Sequence, residues 1–437
     1  MKSTTFLMLV GLLLLVGFSS VFAEDVVLKY WMWDPDPTIQ ELERAIIAKF
    51  EEAHPGIKIE MTAIASSDYW TKMAAMAASK QLPDVFAMSS GFVEEFALQG
   101  ALMELTSYAE KDFKKGDYFW GIMDKSFDVE GKIYAIPFAW VGSVLYYNKT
   151  LFDEAGLTYP DWGWTWDDFV TAAKALTKDT DGDGKTDVWG TAIFGRYSVH
   201  DGWLYQNNAD YLDPAQRRFM KTDALVETIT FLNDLVHTYK VAPEPKQYDF
   251  DGGGRKVRVL FRNGQVAMIA EGSWRVDYFR NADPMEDQWD IAPLPRGTSW
   301  KEDTMYAWGD GLAIPTTTKH PEQAWEFLKF LVNDRPADQY YPGKVPFFRK
   351  EAESEAWDDW KTKGAPPEHK SVILEFGKNP DNNVTTKFWS QWRGWGSAEE
   401  SGISALLDDV YNGNIDVDTF FEKAEKITNR VLKRAYR

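Results

Sequence analysis

The loop at residues 179–187 has the residue spacing of a calcium-binding loop. It places carboxylates at its first, third, fifth and ninth positions and a glycine at its sixth. Calcium takes six to eight oxygen ligands, and this spacing with a glycine bend lets one short loop surround the ion. The bidentate glutamate that is usual at the twelfth position is replaced by Gly190, so the last ligand would have to come from elsewhere. An acidic turn without an ion is the alternative. The predicted metal ligands are Asp179, Asp181, Asp183, Lys185 and Asp187.

The sequence lacks the common patterns of metal-dependent and nucleophilic catalysis. It has 5 histidines, no cysteine and no His-x-x-x-His pair, and neither Gly-x-Ser-x-Gly nor a phosphate-binding glycine loop occurs. A glycoside hydrolase stays open as an alternative, because its two carboxylates have no fixed spacing and the chain has 67 acidic residues. The net charge of −19 is unfavourable for binding nucleic acid or an anionic lipid surface.

The aromatic content favours a ligand that stacks on rings. The chain has 20 tryptophans, 19 tyrosines and 27 phenylalanines, although its hydrophobic share is an ordinary 44%. Pyranose rings present weakly positive C–H groups that suit the negative face of an aromatic ring. Core packing accounts for most of these residues, and a carbohydrate site accounts naturally for the rest.

The amino terminus has the pattern of a secretory signal peptide. Lys2 is followed by the apolar run from Phe6 to Phe18 and by small residues around Ala23. The apolar run is shorter than the ~20 residues that a membrane-spanning helix needs. Without cysteine there is neither a disulfide nor the residue that anchors a bacterial lipoprotein. We therefore expect cleavage after Ala23 and a free protein in the periplasm.

Strand-like and helix-like segments alternate in the first hundred residues. Strands are predicted from Val26 to Trp33, from Ile57 to Ile64 and from Asp84 to Met88, with amphipathic helices between them. This alternation is typical of parallel βαβ units, whose strands end at one edge of the sheet. Trp33, Asp34 and Ser89 follow strand ends and are therefore candidate ligand residues.

A second strand end is predicted near Trp274. Helical spacing up to Asn263 ends at Gly264, and Val266 to Ala270 is a short apolar run before turn residues. Ligands of open α/β sheets bind just past the carboxyl ends of strands, and Trp274 is the first large side chain beyond this one. Packing in a core is the alternative role for Trp274.

Three segments together resemble one family of binding proteins. Residues 261–274, 131–149 and 306–315 resemble the interlobe crossings of family-one extracellular solute-binding proteins, the maltose-binding-protein-like receptors of ABC importers. The resemblance implies an α/β, two-lobe periplasmic-binding-protein fold of type II, with a cleft and three hinge crossings. It implies an amino-terminal lobe at 24–138 and 271–311 and a carboxy-terminal lobe at 139–270 and 312–437.

The resemblance also implies a function and a set of ligand residues. The expected function is that of a monomeric periplasmic receptor, without a cofactor for function. It would close on a carbohydrate, expected to be an oligosaccharide, and present it to the transmembrane subunits of an ABC importer. A peptide or polyol receptor, and a cell-wall polysaccharide binder without a hinge, are further alternatives. The expected ligand residues are Trp33, Asp34, Ser89, Trp140, Trp203, Tyr205, Trp274, Trp308, Asp310, Trp389 and Trp392.

Overall fold

The computed structural model describes residues 25–33, 36–194, 197–213, 218–248, 255–281, 288–337, 340, 342–378, 383–384 and 402–435. In these ranges, no helix has the length and hydropathy of a membrane span. The predicted signal peptide and the candidate ligand residues Asp34, Trp389 and Trp392 lie outside the described residues.

The strands are short except for two. Their bounds are β1 Val26–Met32, β2 Ile57–Ala63, β3 Val85–Ser89, β4 Asp128–Val129, β5 Lys132–Ile133, β6 Ile136–Asn148, β7 Trp189–Thr191, β8 Leu212–Asp213, β9 Arg218–Phe219, β10 Val266–Gly272, β11 Trp289–Ala292, β12 Met305–Ala313, β13 Val345–Pro346 and β14 Asn383–Val384.

The helices alternate with these strands in the first part of the chain and follow one another in the last. Their bounds are α1 Pro37–Ala53, α2 Ser66–Ala78, α3 Ser90–Leu98, α4 Thr106–Asp112, α5 Trp120–Ser126, α6 Lys149–Ala155, α7 Trp166–Leu176, α8 Tyr197–Gln206, α9 Asp223–His237, α10 Arg255–Arg262, α11 Val276–Arg280, α12 Pro321–Asn333, α13 Arg349–Ala352, α14 Trp360–Lys363, α15 Ser371–Lys378, α16 Ile403–Tyr411 and α17 Val417–Ala435.

The predicted parallel strands β1, β2 and β3 lie at one edge of the main sheet. Its strand order is β2-β1-β3-β12-β6-β10-β7, and β1 pairs in parallel with both β2 and β3. α1 connects β1 to β2, with Pro37 at its start and the Asp36 carboxylate accepting a hydrogen bond from the Thr38 amide. A fixed φ at the first helical position and a capping carboxylate both favour helix initiation there. The predicted βαβ units are therefore confirmed.

β6 joins two groups of strands. Its first half pairs with β12 and β13, and its second half pairs with β10 and β11. The two halves meet at Gly142 and Ser143. There Ser143 is paired with Gly272 at the end of β10, and Gly142 is paired with Ala307 near the start of β12. The end of β10 and the start of β12 therefore meet at the midpoint of β6.

Helix α12 and strand β11 pack with parts of the chain that the predicted boundaries assign to the other lobe. In α12, Phe327 has its ring centroid 5.3 Å from that of Tyr30 in β1 and 4.9 Å from that of Phe50 in α1. β11 pairs with the second half of β6, alongside β10. α12 thus packs with the amino-terminal strands, although 312–437 was assigned to the carboxy-terminal lobe. β11 lies with the other group, although 271–311 was assigned to the amino-terminal lobe. Both assignments are corrected, because hydrophobic packing and strand pairing place these elements. The remaining boundaries stay a prediction.

Residues 342–346 contact the middle of β6, the strand β12 and the turn that follows β10. Ser273 donates its hydroxyl to the Gly343 carbonyl at 2.6 Å and accepts from the Gly142 amide at 3.3 Å. The Lys344 ammonium lies 2.6 Å from the Asp310 carboxylate in β12. Val345 then pairs with β6 as part of β13. One short segment therefore contacts β6, β12 and the turn that follows β10.

We expect replacement of Gly343 by alanine to disrupt this contact. Gly343 has φ +85°, and a Cβ there would lie 2.0 Å from the Ser273 carbonyl oxygen. Backbone strain alone costs roughly 1–3 kcal/mol, and overlap with a fixed backbone atom adds to it. Gly343→Ala should therefore lower the free energy of unfolding by at least about 3 kcal/mol in urea denaturation.

Gly364→Ala is the matched control for this prediction. Gly364 also has a positive φ, of +63°, but a Cβ there would meet no atom of the described residues within 4 Å. It should cost only about 1 kcal/mol, because it carries the strain without the overlap. Equal losses in the two variants would contradict a special role for the Gly343–Ser273 contact.

A buried ionic cluster holds α11 against the segment before α15. Arg280 donates two hydrogen bonds to the Asp359 carboxylate, at 2.9 and 2.8 Å, and Lys370 donates a third at 2.8 Å. Burial lowers the pKa of Lys370 to about 8, although its bond to Asp359 opposes that shift. The ammonium of Lys370 also lies over the Trp357 ring, 4.6 Å from its centroid.

We expect Lys370 to make stability increase with pH in the alkaline range. Between the folded pKa of about 8 and the ordinary value of 10.5, the unfolded chain keeps a proton that the folded protein has lost. Because the unfolded state then binds more protons, stability rises with pH in this window. We compare the free energies of unfolding of the wild type and of Lys370→Met. The difference, wild type minus variant, should rise by up to roughly 3 kcal/mol between about pH 7.5 and about pH 10.5. A difference that is independent of pH would contradict the lowered pKa.

Candidate functional site

Four aromatic rings form a continuous row near the midpoint of β6. Tyr205 of α8 stacks on Tyr306 of β12, with centroids 5.5 Å apart and 16° between the ring planes. Trp308 lies next, 5.0 Å from Tyr306 and 4.6 Å from Trp274. The two tyrosines are buried, whereas the two tryptophans are partly exposed. One end of the row is therefore made of the two buried tyrosine rings, and the indoles at the other end are partly exposed to solvent.

The row follows from the way the strands meet. Trp308 is one residue after Ala307, where β12 starts its pairing with β6, and Trp274 is two residues after the end of β10. The glycine before Ser273 is also required, since a Cβ on Gly272 would lie 1.8 Å from the Trp274 ring. The indole thus lies directly over the Gly272 backbone. The structure brings together three of the predicted ligand residues, Tyr205, Trp274 and Trp308, and adds Tyr306.

A second aromatic group lies at the carboxyl end of β1. Trp33 is partly exposed, and its ring centroid lies 5.6 Å from those of Tyr69 and Trp70. Trp70 stacks in turn on Phe92, with centroids 3.6 Å apart and 5° between the planes. Trp33 is one of the predicted ligand residues, whereas Trp70 was not predicted. The available signal was the position of Trp70 in the first turns of the helix that follows β2, at the same edge of the sheet.

The predicted polar residues Ser89 and Asp310 lie opposite each other on β3 and β12. Both are buried, and the Asp310 carboxylate is paired with Lys344. The neighbouring Ser90 hydroxyl accepts a hydrogen bond from the Gly309 amide at 3.2 Å. These groups hold β3, β12 and the 342–346 segment together. A ligand hydroxyl that reached Asp310 would have to share its carboxylate with Lys344.

Two predicted ligand residues belong to the core instead. Trp140 has no exposed surface and lies on β6, where strands pair on both sides of it. Trp203 is 1% exposed and packs against Phe169 and Phe231, with centroids 5.0 and 5.8 Å away. Because neighbouring side chains enclose both rings, neither has a face for a ligand. The structure therefore corrects these two predictions.

A model of the bacterial extracellular solute-binding protein family matches residues 36–338. The chain belongs to this family. A multiple sugar-binding protein of Streptococcus mutans is 26% identical to it over 356 residues, which are 76% of this chain and 80% of that protein. An arabinooligosaccharide-binding protein of Bacillus subtilis is 26% identical over 66% of this chain and 64% of its own length.

Solved structures agree with the family. An ABC substrate-binding protein of Listeria monocytogenes, in complex with cycloalternan, matches with a TM-score of 0.78 and 25% identity, over 94% of this chain and all of that one. The sugar-binding protein MalE of Xanthomonas citri matches with a TM-score of 0.73 and 21% identity, over 94% and 98% of the two chains. The predicted two-lobe periplasmic-binding-protein fold is confirmed for this solute-binding protein, and its family is one of binding proteins.

The acidic loop of this solute-binding protein groups three of the five predicted metal ligands. Carboxylate oxygens of Asp179, Asp181 and Asp187 all lie within 4.8 Å of one another. Hydrogen bonds from Thr180 lower the pKa of Asp187 and favour its charged form. Asp183 instead lies 3.0 Å from the Lys185 ammonium. The carboxylate set suits a hard cation such as calcium, and calcium binding stays a prediction.

The calcium prediction can be tested with the metal alone. After treatment with a chelator, added Ca²⁺ should raise the midpoint of thermal unfolding progressively with its concentration, because an ion that binds only the folded chain stabilises it. Asp181→Asn should weaken this effect at least about tenfold in calcium concentration, since it removes one charged ligand. Asp117→Asn, at an exposed carboxylate elsewhere, is the control. No response of the wild type up to about 10 mM calcium, beyond even weak extracellular sites, would refute the prediction.

Proposed function

We propose that this solute-binding protein binds a carbohydrate, and that Trp274 and Trp308 supply a stacking surface for it. The observation that carries the proposal is the aromatic row, which ends in two partly exposed indoles in mutual contact. Aromatic faces suit the C–H patches of pyranose rings. The relatives named as multiple sugar-binding and arabinooligosaccharide-binding proteins support a carbohydrate, and an oligosaccharide in particular.

Stacking and hydrogen bonds have different parts in the proposed binding. A micromolar dissociation constant needs about 8 kcal/mol, whereas one net hydrogen bond contributes only about 1 kcal/mol. Burial of sugar against indole surface supplies much of the difference. Hydrogen bonds then select between sugars, because a polar group left without its partner is costly.

The proposal extends to transport. A ligand shifts an open–closed equilibrium only through its different affinity for the two states. The aromatic row contains Tyr205 from α8 and Trp308 from β12, so it draws on more than one part of the chain. We propose that the protein is exported to the periplasm with cleavage after Ala23, works without a lipid anchor, and delivers its closed form to an ABC importer.

A panel of sugars tests the proposed function. The midpoint of thermal unfolding should rise with certain mono- or oligosaccharides, and above the dissociation constant it should rise with the logarithm of the sugar concentration. The sugar should be recovered intact, because a glycoside hydrolase would consume it. A panel that includes peptides and polyols separates the remaining alternatives, and stabilisation by those alone would refute a carbohydrate ligand.

Trp274→Ala tests the stacking surface directly. We expect it to weaken binding of the stabilising sugar at least tenfold, or by about 1.4 kcal/mol, because it removes one indole from the row. Isothermal titration calorimetry measures the effect. Trp162→Ala is the control, since Trp162 is 36% exposed and packs on Phe376 away from the row. Full affinity in a folded Trp274→Ala protein would exclude Trp274 from the site.

A further inference from the structure

An aspartate, a glutamate and a histidine lie together where the segment before α15 meets β11. They are Asp290 of β11 and the neighbours Glu368 and His369. One carboxylate oxygen of each acid and one ring nitrogen of the histidine all lie within 4.8 Å of one another. Asp290 and His369 are 79 positions apart in sequence, and His369 Nδ1 is 2.6 Å from Asp290 Oδ2. The tertiary fold, rather than a local turn, therefore brings the three side chains together.

Backbone amides hold the Asp290 carboxylate in one orientation. Its side chain is only 1% exposed, and Oδ1 accepts hydrogen bonds from the amides of Ile291 at 2.8 Å and of His369 at 3.0 Å. Oδ2 instead faces the His369 ring, with the Tyr147 hydroxyl at a longer 3.4 Å. Hydrogen bonds that orient a ligating carboxylate are a regular part of metal sites. Asp290 Oδ2 is thus oriented in advance as a ligand atom.

The other two side chains can adjust to an ion. The side chains of Glu368 and His369 are 45% and 57% exposed. Zinc binds nitrogen and oxygen ligands at about 2.0–2.2 Å, so atoms bound to one ion are about 3–4 Å apart. Small movements of the two exposed side chains reach such separations while Asp290 stays in place. Their exposure also leaves room for water as a further ligand.

The charges at this place favour a cation. Two carboxylates, Asp290 and Glu368, face one nearby ammonium, that of Lys149, which is 3.8 Å from Glu368 and also lies 6.0 Å from the centroid of the Tyr159 ring. A divalent cation compensates the remaining negative charge and takes the neutral imidazole of His369 as a ligand. Imidazole suits zinc and other transition metals, whereas calcium prefers an all-oxygen set.

We propose that Asp290, Glu368 and His369 bind a divalent transition-metal ion, and that Zn²⁺ fits this ligand set. One oxygen of each carboxylate and one imidazole nitrogen are the protein ligands, and water completes the coordination. The ion ties the segment before α15 to β11, directly beside the buried ionic cluster of Lys370. The proposal is independent of the carbohydrate function and of the acidic loop at 179–187, which contains no histidine.

Calorimetric titration of the chelator-treated full mature protein with Zn²⁺ tests the proposal. All variants carry Asp181→Asn, so that the acidic loop contributes less to zinc binding. We expect one site with a dissociation constant in the micromolar range or below. Glu368→Gln and His369→Ala should each weaken zinc binding at least about tenfold, because loss of a group that only orients a ligand already costs that much. His320→Ala, at the partly exposed histidine before α12, should keep full zinc affinity.

Urea unfolding in the presence of chelator separates a metal site from a plain ion pair. His369→Ala removes the contact with Asp290 and should lower stability even without metal. Glu368→Gln keeps that contact and loses only the loose pairing with Lys149, so its stability in chelator should match that of the parent protein. Added zinc should then raise the unfolding midpoint of the parent more than that of Glu368→Gln.

Three results would overturn the proposal. The first is the absence of zinc binding at micromolar concentrations. The second is equal zinc affinity in the parent, Glu368→Gln and His369→Ala, which would mean that zinc binds elsewhere on the acidic surface. The third is a loss of affinity in His369→Ala alone, which would leave a single histidine and an ordinary ion pair in place of a three-ligand site.

Discussion

The buried backbone of β6 is the constraint on which the site depends. All but one of its 13 residues are buried, and a buried amide or carbonyl must find a hydrogen-bond partner. β12 and β13 supply partners along its first half, and β10 and β11 along its second. The pairing changes at Gly142 and Ser143. The strands that end or begin there are β10, which Trp274 follows, and β12, which carries Trp308.

The aromatic row is therefore a consequence of strand pairing. Trp274 and Trp308 are 34 positions apart in the sequence. Their rings are in contact because β10 ends and β12 starts its pairing at neighbouring residues of β6. Gly272 completes the arrangement, since a side chain there would occupy the place of the indole. The 342–346 segment then fixes the turn around Ser273 by the hydrogen bond from the Ser273 hydroxyl to the Gly343 carbonyl. The position of the rings is set by backbone geometry rather than by contacts between the rings alone.

The sequence predicted the parts of this arrangement that have a local signal. Alternating strands and helices revealed the parallel units, and the turn after Ala270 placed Trp274 past a strand end. Trp140 was misassigned because β6 is buried on both faces, so the alternation of side chains along it does not separate ligand-facing from core-facing positions. Trp203 was misassigned because the family resemblance does not reveal which face of α8 is buried. The Ser273–Gly343 contact joins residues 70 apart, and nothing in their spacing indicates it.

The buried ion pairs restrict which residues can select a ligand. Asp310 was a natural candidate for a sugar hydroxyl, yet its carboxylate is held by Lys344, and both groups are removed from water. Breaking such a pair to bind a neutral hydroxyl would leave a buried charge without its partner, which costs more than one hydroxyl contact returns. Glu43 of α1 and Arg335 form the same kind of buried pair. Charged side chains here are paired with one another, and the two pairs hold neighbouring elements of the fold together.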